Sequence, residues 1–367
     1  MSLLKKVYKK VLNKHYAKKG FSSYYVDFWR KEIKNSYKNS DLPKAQIKWA
    51  KKRGFKPFRI KQYGLTEENY KDIISDVDYF WIYPLNDRKA SSWIDDKLTM
   101  KYVLSAFDEF LPRYYYHILN SRGVLRLRDC PDNYEFSVKG VVNLLKDKKI
   151  LAAKMVAGTY GIGFYKLEYA NGKFIANGKE YDEIEFENFI ASLNNYIITE
   201  FVEMHPQLKK LNPHSVNTIR VMVINEHGDD PIIPFAFMRI GTKKSGIVDN
   251  TAQGGMFCKV NVETGRYYDG ETAVNHEIKS VKYHPDTNEK IEGILPNWEL
   301  VKEKLIEMAH YYPQLKYLGY DIAITQKGFE IIEINSHQGL HKAHMFPKEV
   351  KEFFNREVEK KSLKYKR

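Results

Sequence analysis

Cysteine is nearly absent from this chain of 367 residues: Cys130 and Cys258 are the two present, and neither belongs to a Cys-x-x-Cys pair. That argues against a disulfide framework or a structural zinc site and for a reducing, cytosolic compartment. No apolar run approaches the roughly 18–20 residues that span a bilayer. The N-terminus lacks the apolar core of a secretory signal. There is no internal repeat and no low-complexity segment. Helix-turn-helix, RNA-recognition and zinc-finger patterns are missing, so no nucleic-acid partner is expected. No convincing Ser-His-Asp or Cys-His nucleophile pattern occurs either. What remains is a globular composition, 43% hydrophobic and 29% charged, with 14% aromatics that argue against long disorder. The length allows two or three packed domains.

Acidic residues are scarce at one end. Residues 1–62 hold nineteen Lys or Arg and three acids, Asp27, Glu32 and Asp41. The whole chain carries +14, so the remainder is close to neutral. Leu3, Leu4, Val7, Tyr8, Val11, Leu12 and Tyr16 recur at helical spacing, while Lys5, Lys6, Lys9, Lys10 and Lys14 fill the other face. Such a helix either packs its apolar face on the protein or lies on an anionic membrane with its lysines at lipid phosphates. Residues 1–20 are therefore the candidate for peripheral membrane contact at the cytoplasmic face.

The body mixes helical and β patterns. Lys71–Phe80, Leu98–Phe110, Glu183–Asn194, Trp298–Tyr312 and Pro347–Lys361 read as helices. Tyr114–Ile118, Ile150–Val156, Phe164–Tyr169, Tyr196–Val202, Val216–Asn225, Ile232–Ile240, Gly319–Thr325 and Phe329–Asn335 read as strands. Asn171-Gly172 and Asn177-Gly178 are hairpin turns. Hairpins interleaved with helices give an α+β class.

Three constellations carry chemistry. If the hairpin Gly319–Asn335 folds about Lys327, Asp321 lies opposite Glu333, and Asn335 shares that face by the two-residue period. Opposed carboxylates destabilise a sheet unless a cation or proton sits between them. Two carboxylates and an amide are hard oxygen ligands suited to Mg2+. Second, Lys154 lies in an apolar strand just before Gly158, Gly161 and Gly163, whose backbone N–H groups are open to phosphate oxygens. The ordinary reading of that stretch is a plain hairpin with an edge lysine. Third, Arg220 sits in the run Val221-Met222-Val223 and needs an anion if buried: a phosphate or a structural carboxylate. The loop from Asp249-Asn250 to Gly254-Gly255 either holds a substrate or merely turns the chain.

Taken together and in this order, Asp96-Lys97, Lys154 with Gly158–Gly163, Ile198–Val202, His214–Arg220, Asp249-Asn250 to Gly254-Gly255, His284–Thr287, Pro296–Trp298 and the Gly319–Asn335 hairpin resemble the ATP-grasp superfamily. The resemblance is to its sugar-transfer-associated branch, near teichuronopeptide-type ligases, and covers roughly residues 90–345. It implies two α+β lobes clasping ATP and one or two Mg2+ ions. Lys97 and Lys154 would contact phosphates or adenine, and Gly158, Thr159, Gly161 and Gly163 would cover the phosphates. Glu200, Phe201 and Val202 would form the adenine hinge, with Glu203 at the ribose. Asp321, Glu333 and Asn335 would hold the metal. Arg220 would steady the transferred phosphate or acyl phosphate, supported by Asn217. Asp249, Asn250, Gly254 and Gly255 would face the acceptor. His337, His341 and His344 either touch substrate, His337 being the candidate, or merely open a helix.

The implied division is a basic helical segment 1–62, a linking α+β region 63–140, a small lobe 141–203, a large lobe 204–346 and a C-terminal helix 347–367. The implied activity joins a sugar carboxylate, such as a uronic acid, to an amino acid or amine in bacterial capsule or surface-polysaccharide synthesis, releasing ADP. The competing readings are a sugar kinase on the same site and a non-catalytic protein that binds membranes or polyanions.

Overall fold

The computed structural model describes residues 3–120, 123–158, 161–274, 277–340 and 342–365. Two antiparallel sheets dominate them. The smaller is built from β1 (Tyr114–Leu119), β2 (Gly123–Arg126), β3 (Ile150–Met155), β4 (Tyr165–Ala170), β5 (Lys173–Ala176), β6 (Lys179–Tyr181) and β7 (Tyr196–Glu200). Their order is β2-β1-β7-β3-β4-β5-β6. Asn171-Gly172 and Asn177-Gly178 all take positive φ, the condition for the tight turns that link β4, β5 and β6.

The larger sheet uses β8 (Ile219–Ile224), β9 (Ile232–Ile240), β10 (Met256–Val260), β11 (Arg266–Val274), β12 (Glu277–Ser280), β13 (Gly293–Ile294), β14 (Tyr317–Thr325) and β15 (Gly328–Asn335). Its order is β12-β11-β10-β9-β8-β14-β15, with β13 on β11.

Each sheet packs a helical layer. The helices Val138–Lys148 and Glu183–Ser192 bury Val141, Val142, Leu145, Phe186 and Ile190 against Leu151, Leu167, Phe174 and Ile198 of the small sheet. The first of these helices is absent from the sequence reading. Gly140 and two adjacent valines weaken its intrinsic propensity. The glycine is needed, because a Cβ there would sit 2.2 Å from the Glu135 carbonyl. Ser137 caps its start and burial does the rest. On the large sheet, Val301, Leu305 and Met308 of the helix Trp298–His310 cover Ile219, Val221, Tyr320, Ile322 and Ile331. Part of the opposite face, Met222, Ile224, Phe235 and Tyr317, is covered by Phe55 and Tyr79 from the N-terminal helices and by Phe353 and Phe354 of the helix Lys348–Tyr365. All nine residues of β14 are therefore buried.

Two helical expectations are corrected. Lys71–Phe80 is a 3-10 turn, Tyr70–Asp72, followed by a helix Asp76–Trp81 capped by Ser75. Leu98–Phe110 is a helix Lys97–Val103, capped by Asp96, and then a 3-10 stretch Ser105–Phe110 broken at Phe107. The basic segment forms helices Leu3–Ala17, Ser23–Lys38, Lys44–Lys52 and Arg59–Tyr63. Among the described residues, no helix is long and apolar enough to cross a membrane.

Candidate functional site

The β14–β15 hairpin sets the carboxylates. It turns at Gln326-Lys327, with Thr325 opposite Gly328, half a residue away from the pivot that the sequence suggests. A bulge at Ile332 then shifts the register, so that Asp321 faces Glu333 and Gly319 faces Asn335 after all. The expected pairing is present, by a route the sequence does not display.

Asp321 does not stand unneutralised. Arg220, its partner across β8 and β14, donates from Nε at 2.5 Å and from Nη2 at 2.8 Å. Arg239 of β9 approaches the same carboxylate at 2.9 Å. Burial alone would raise the Asp321 carboxyl, but Arg220 and Arg239 hold it below the usual carboxylate range. Arg239 also bonds the Thr218 hydroxyl at 2.9 Å and lies 3.6 Å from Asp249. Arg239 is a site residue that sequence reasoning missed. Its mark was the same as that of Arg220, a guanidinium inside an apolar strand.

Lys97 ties the two sheets together. Its ammonium lies 3.1 Å from Glu333 of β15 and donates to the Gly158 carbonyl at 2.9 Å. Its backbone N–H donates to the Val156 carbonyl just past β3. Asp95 fastens the same corner by accepting from the Ser336 N–H and hydroxyl at 3.0 and 2.7 Å. Lys154, buried on β3, lies 5.4 Å from the Tyr114 ring. Burial, and after it the Lys97 ammonium, push the Lys154 amine down to about 7. Glu330, also missed, faces this region; burial and the nearby Glu200 push its carboxyl up to about 7. Glu330 Oε2 and Tyr114 Oη have no hydrogen-bond partner among the described residues.

The glycine segment joins β3 to β4 as expected. Gly161 and Gly163 have φ of +69° and +73°, and a Cβ on Gly161 would sit 2.8 Å from Val248 of the large lobe. Thr159 and Tyr160 lie outside the described residues. β7 ends at Glu200, two residues short of the expected strand end, and Phe201, Val202 and Glu203 follow outside any strand or helix. Val202 is buried, Glu203 is exposed, and the Phe201 ring lies under Lys166.

Other predicted residues are occupied structurally. Asn217 does not reach the cleft. It is fully buried; its amide donates to Leu208 O at 3.0 Å and accepts from Gly241 N at 3.1 Å. Extended-chain alternation turns it away from Arg220. Asp249 accepts from the Thr218 N–H and hydroxyl at 2.8 and 2.5 Å, which fixes the base of its loop. Asn250 O accepts from Gly255 N, and Gly254 O from Thr242, so the acceptor loop is folded on itself. His337 is enclosed by Tyr79 and Tyr83, with Tyr25 Oη 3.2 Å from its Nε2, and burial pushes it down to about 3. His344 stacks on Tyr63, and His341 lies outside the described residues.

No three His, Cys, Asp or Glu side chains gather into a metal cluster among the described residues. The candidate set is two carboxylates and an amide, whose donor chemistry suits Mg2+. Lys97, Lys154, Arg220 and Arg239 surround it, side chains of the kind that pair with phosphate oxygens.

A buried lysine on one antiparallel sheet, facing an Asp, Glu and Asn hairpin on another, is the arrangement of an ATP-grasp protein. The chain belongs to the sugar-transfer associated ATP-grasp family, whose profile matches residues 78–359. No curated protein matches the sequence significantly. Among solved structures, D-alanyl-alanine synthetase A from Vibrio cholerae is 15% identical over 75% of this chain and 67% of its own, with a TM-score of 0.43. D-alanine–D-alanine ligase from Bacillus anthracis is 11% identical over 76% of this chain and 71% of its own, with a TM-score of 0.40. The ATP-grasp ligase PsnB, solved with a precursor variant, Mg and ADP, is 12% identical over 74% of this chain, with a TM-score of 0.39. This chain spans 61% of PsnB.

Proposed function

We propose that this protein is an ATP-dependent ligase that joins a carboxylate to an amine through an acyl phosphate. The observation that carries the reading is Lys97, which bridges Glu333 on one sheet and the Gly158 carbonyl on the other, beside the twice-paired Asp321. Polyphosphate and a developing negative charge are what such a group of cations stabilises. Asp321, Glu333 and Asn335 would hold Mg2+, which when bound neutralises phosphate charge. Lys97 and Lys154 would orient the phosphates, and Phe201-Val202, just past the end of β7, would offer backbone groups to adenine. Arg220 and Arg239 would hold the substrate carboxylate. The carboxylate oxygen attacks the γ-phosphorus and ADP leaves. The amine then attacks the acyl carbon, phosphate leaves, and the amine loses a proton.

The family's association with sugar transfer supports a sugar acid as the carboxylate, with an amino acid or amine as acceptor, in surface-polysaccharide synthesis. ADP release is to be measured with Mg2+ across uronic acids, nucleotide-linked uronic acids and amino acids, with product masses. The expected result is release that needs both partners and a product lighter than their sum by one water. Hydroxylamine is expected to trap the activated carboxylate. Release with a sugar alone, and a product heavier by one phosphate, would replace the ligase with a kinase.

A further inference from the structure

The helical hairpin Leu3–Ala17 and Ser23–Lys38 takes no part in the proposed chemistry. Its inner side is an aromatic cluster. Tyr16 and Phe21 pack on Phe80 and Trp81, Trp29 stacks on Phe80 at 4.1 Å, and Tyr25 stacks on Tyr83. The exposed side chains of the two helices include large apolar ones. Tyr8 is 63% exposed, Val11 64%, Tyr24 79% and Phe28 48%. The first two lie one helical turn apart, as do the last two, whose rings are stacked within 6.4 Å. The side chains of Leu3, Leu4 and Val7 lie outside the described residues. The same two helices expose Lys10, Lys14, Lys31, Lys34 and Lys38, and Lys18 follows the first of them. Residues 1–38 hold eleven basic and two acidic side chains.

We propose that this hairpin docks the protein on an anionic lipid surface, with Tyr8, Val11, Tyr24 and Phe28 among the headgroups and the lysines at lipid phosphates. A lipid interface takes both halves of the surface at once. A nucleic acid would pair the lysines and leave the apolar side chains in water. A second copy would cover the apolar side chains but bring two strongly basic segments together. The hairpin is not a loose tether: Tyr25 Oη lies 3.2 Å from His337 Nε2, two residues past Asn335. The docked face is thereby fixed relative to the end of the carboxylate hairpin. The proposal stands whether or not the ligase reading does.

The test is sedimentation of the full chain with vesicles of phosphatidylcholine alone, or with about 30% phosphatidylglycerol as the anionic component. Binding is expected only to the anionic vesicles, weakening at least about tenfold in roughly 0.5 M salt, where the screening length contracts. The variant Tyr8→Ser/Val11→Ser/Tyr24→Ser/Phe28→Ser should lose at least about tenfold in vesicle affinity while keeping the wild-type circular dichroism and melting temperature. A second variant, Lys10→Gln/Lys14→Gln/Lys18→Gln, should lose the preference for anionic lipid. Equal binding to both vesicles, or full binding by the serine variant, overturns the proposal. So does tight RNA binding that survives the serine changes, or a dimer that those changes dissolve.

Discussion

At the scale of single residues, Lys154 and Glu330 matter most, since both are drawn toward neutrality near pH 7. A lysine whose folded value lies below its unfolded one penalises folding most below that folded value. The penalty lifts as pH rises toward the ordinary lysine range. Glu330 runs the other way: it costs nothing in acid, and its penalty is complete above about 7. Bound polyphosphate favours the charged lysine, so nucleotide binding is expected to take up a proton near neutrality and to weaken as pH climbs above about 7. Titration calorimetry in two buffers of different ionisation enthalpy reads that proton. Lys154→Arg, always charged, should flatten the dependence. An unchanged slope in that variant would remove Lys154 from the nucleotide site. Arg239→Ala takes one cation from Asp321 and the nearest cation from Asp249. It should cost about 2 kcal/mol in denaturant unfolding, and should lower kcat more than it raises KM. Arg239 could have been found in the sequence by the rule that singled out Arg220. The enclosure of Asn217 could not, because alternation assigns a face and not partners elsewhere in the chain, here Leu208 and Gly241.

Among the elements, the β14–β15 hairpin carries one surplus residue. Deleting Ile332 would make the ladder regular and leave Glu333 opposite Asp321 and Asn335 opposite Gly319. The expected outcome is a retained thermal shift with Mg2+ and ADP. A shift lost from a folded variant would mean that the bulge itself, and not the pairing alone, sets the metal ligands. In the glycine segment, Gly163→Ala places a side chain at φ +73° and sets its Cβ 2.5 Å from Tyr196 Oη. About 1–2 kcal/mol of local strain follows, and is to be read as faster proteolysis between β3 and β4. Most strands were legible, Ile232–Ile240 to the residue, because period-two burial is written in the sequence. The bulge was not, since Ile332 is one more isoleucine in an apolar run. The helix Val138–Lys148 hid because its burial, and not its propensity, makes it helical.

For the whole molecule, the two sheets meet through few covalent links, and Lys97 ties them non-covalently. A ligand that touches both lobes should therefore stabilise the fold as a unit. Mg2+ with ADP at about 100 times its dissociation constant should add roughly 2.7 kcal/mol, seen as a raised melting temperature that Asp321→Asn/Glu333→Gln abolishes. The α+β class was readable from the alternation of hairpins and helices. The cover over the large sheet was not, because Phe55 and Tyr79 join Phe353 and Phe354 from almost opposite ends of the sequence. That seam has a bearing on how the protein is made. During synthesis, β8, β9 and β14 can pair before Lys348–Tyr365 has left the ribosome, and until then Met222, Ile224 and Tyr317 lie partly bare. The helix Lys348–Tyr365 would then close over the sheet, and a pause in translation just before it would leave an open, adhesive sheet for a chaperone to shield.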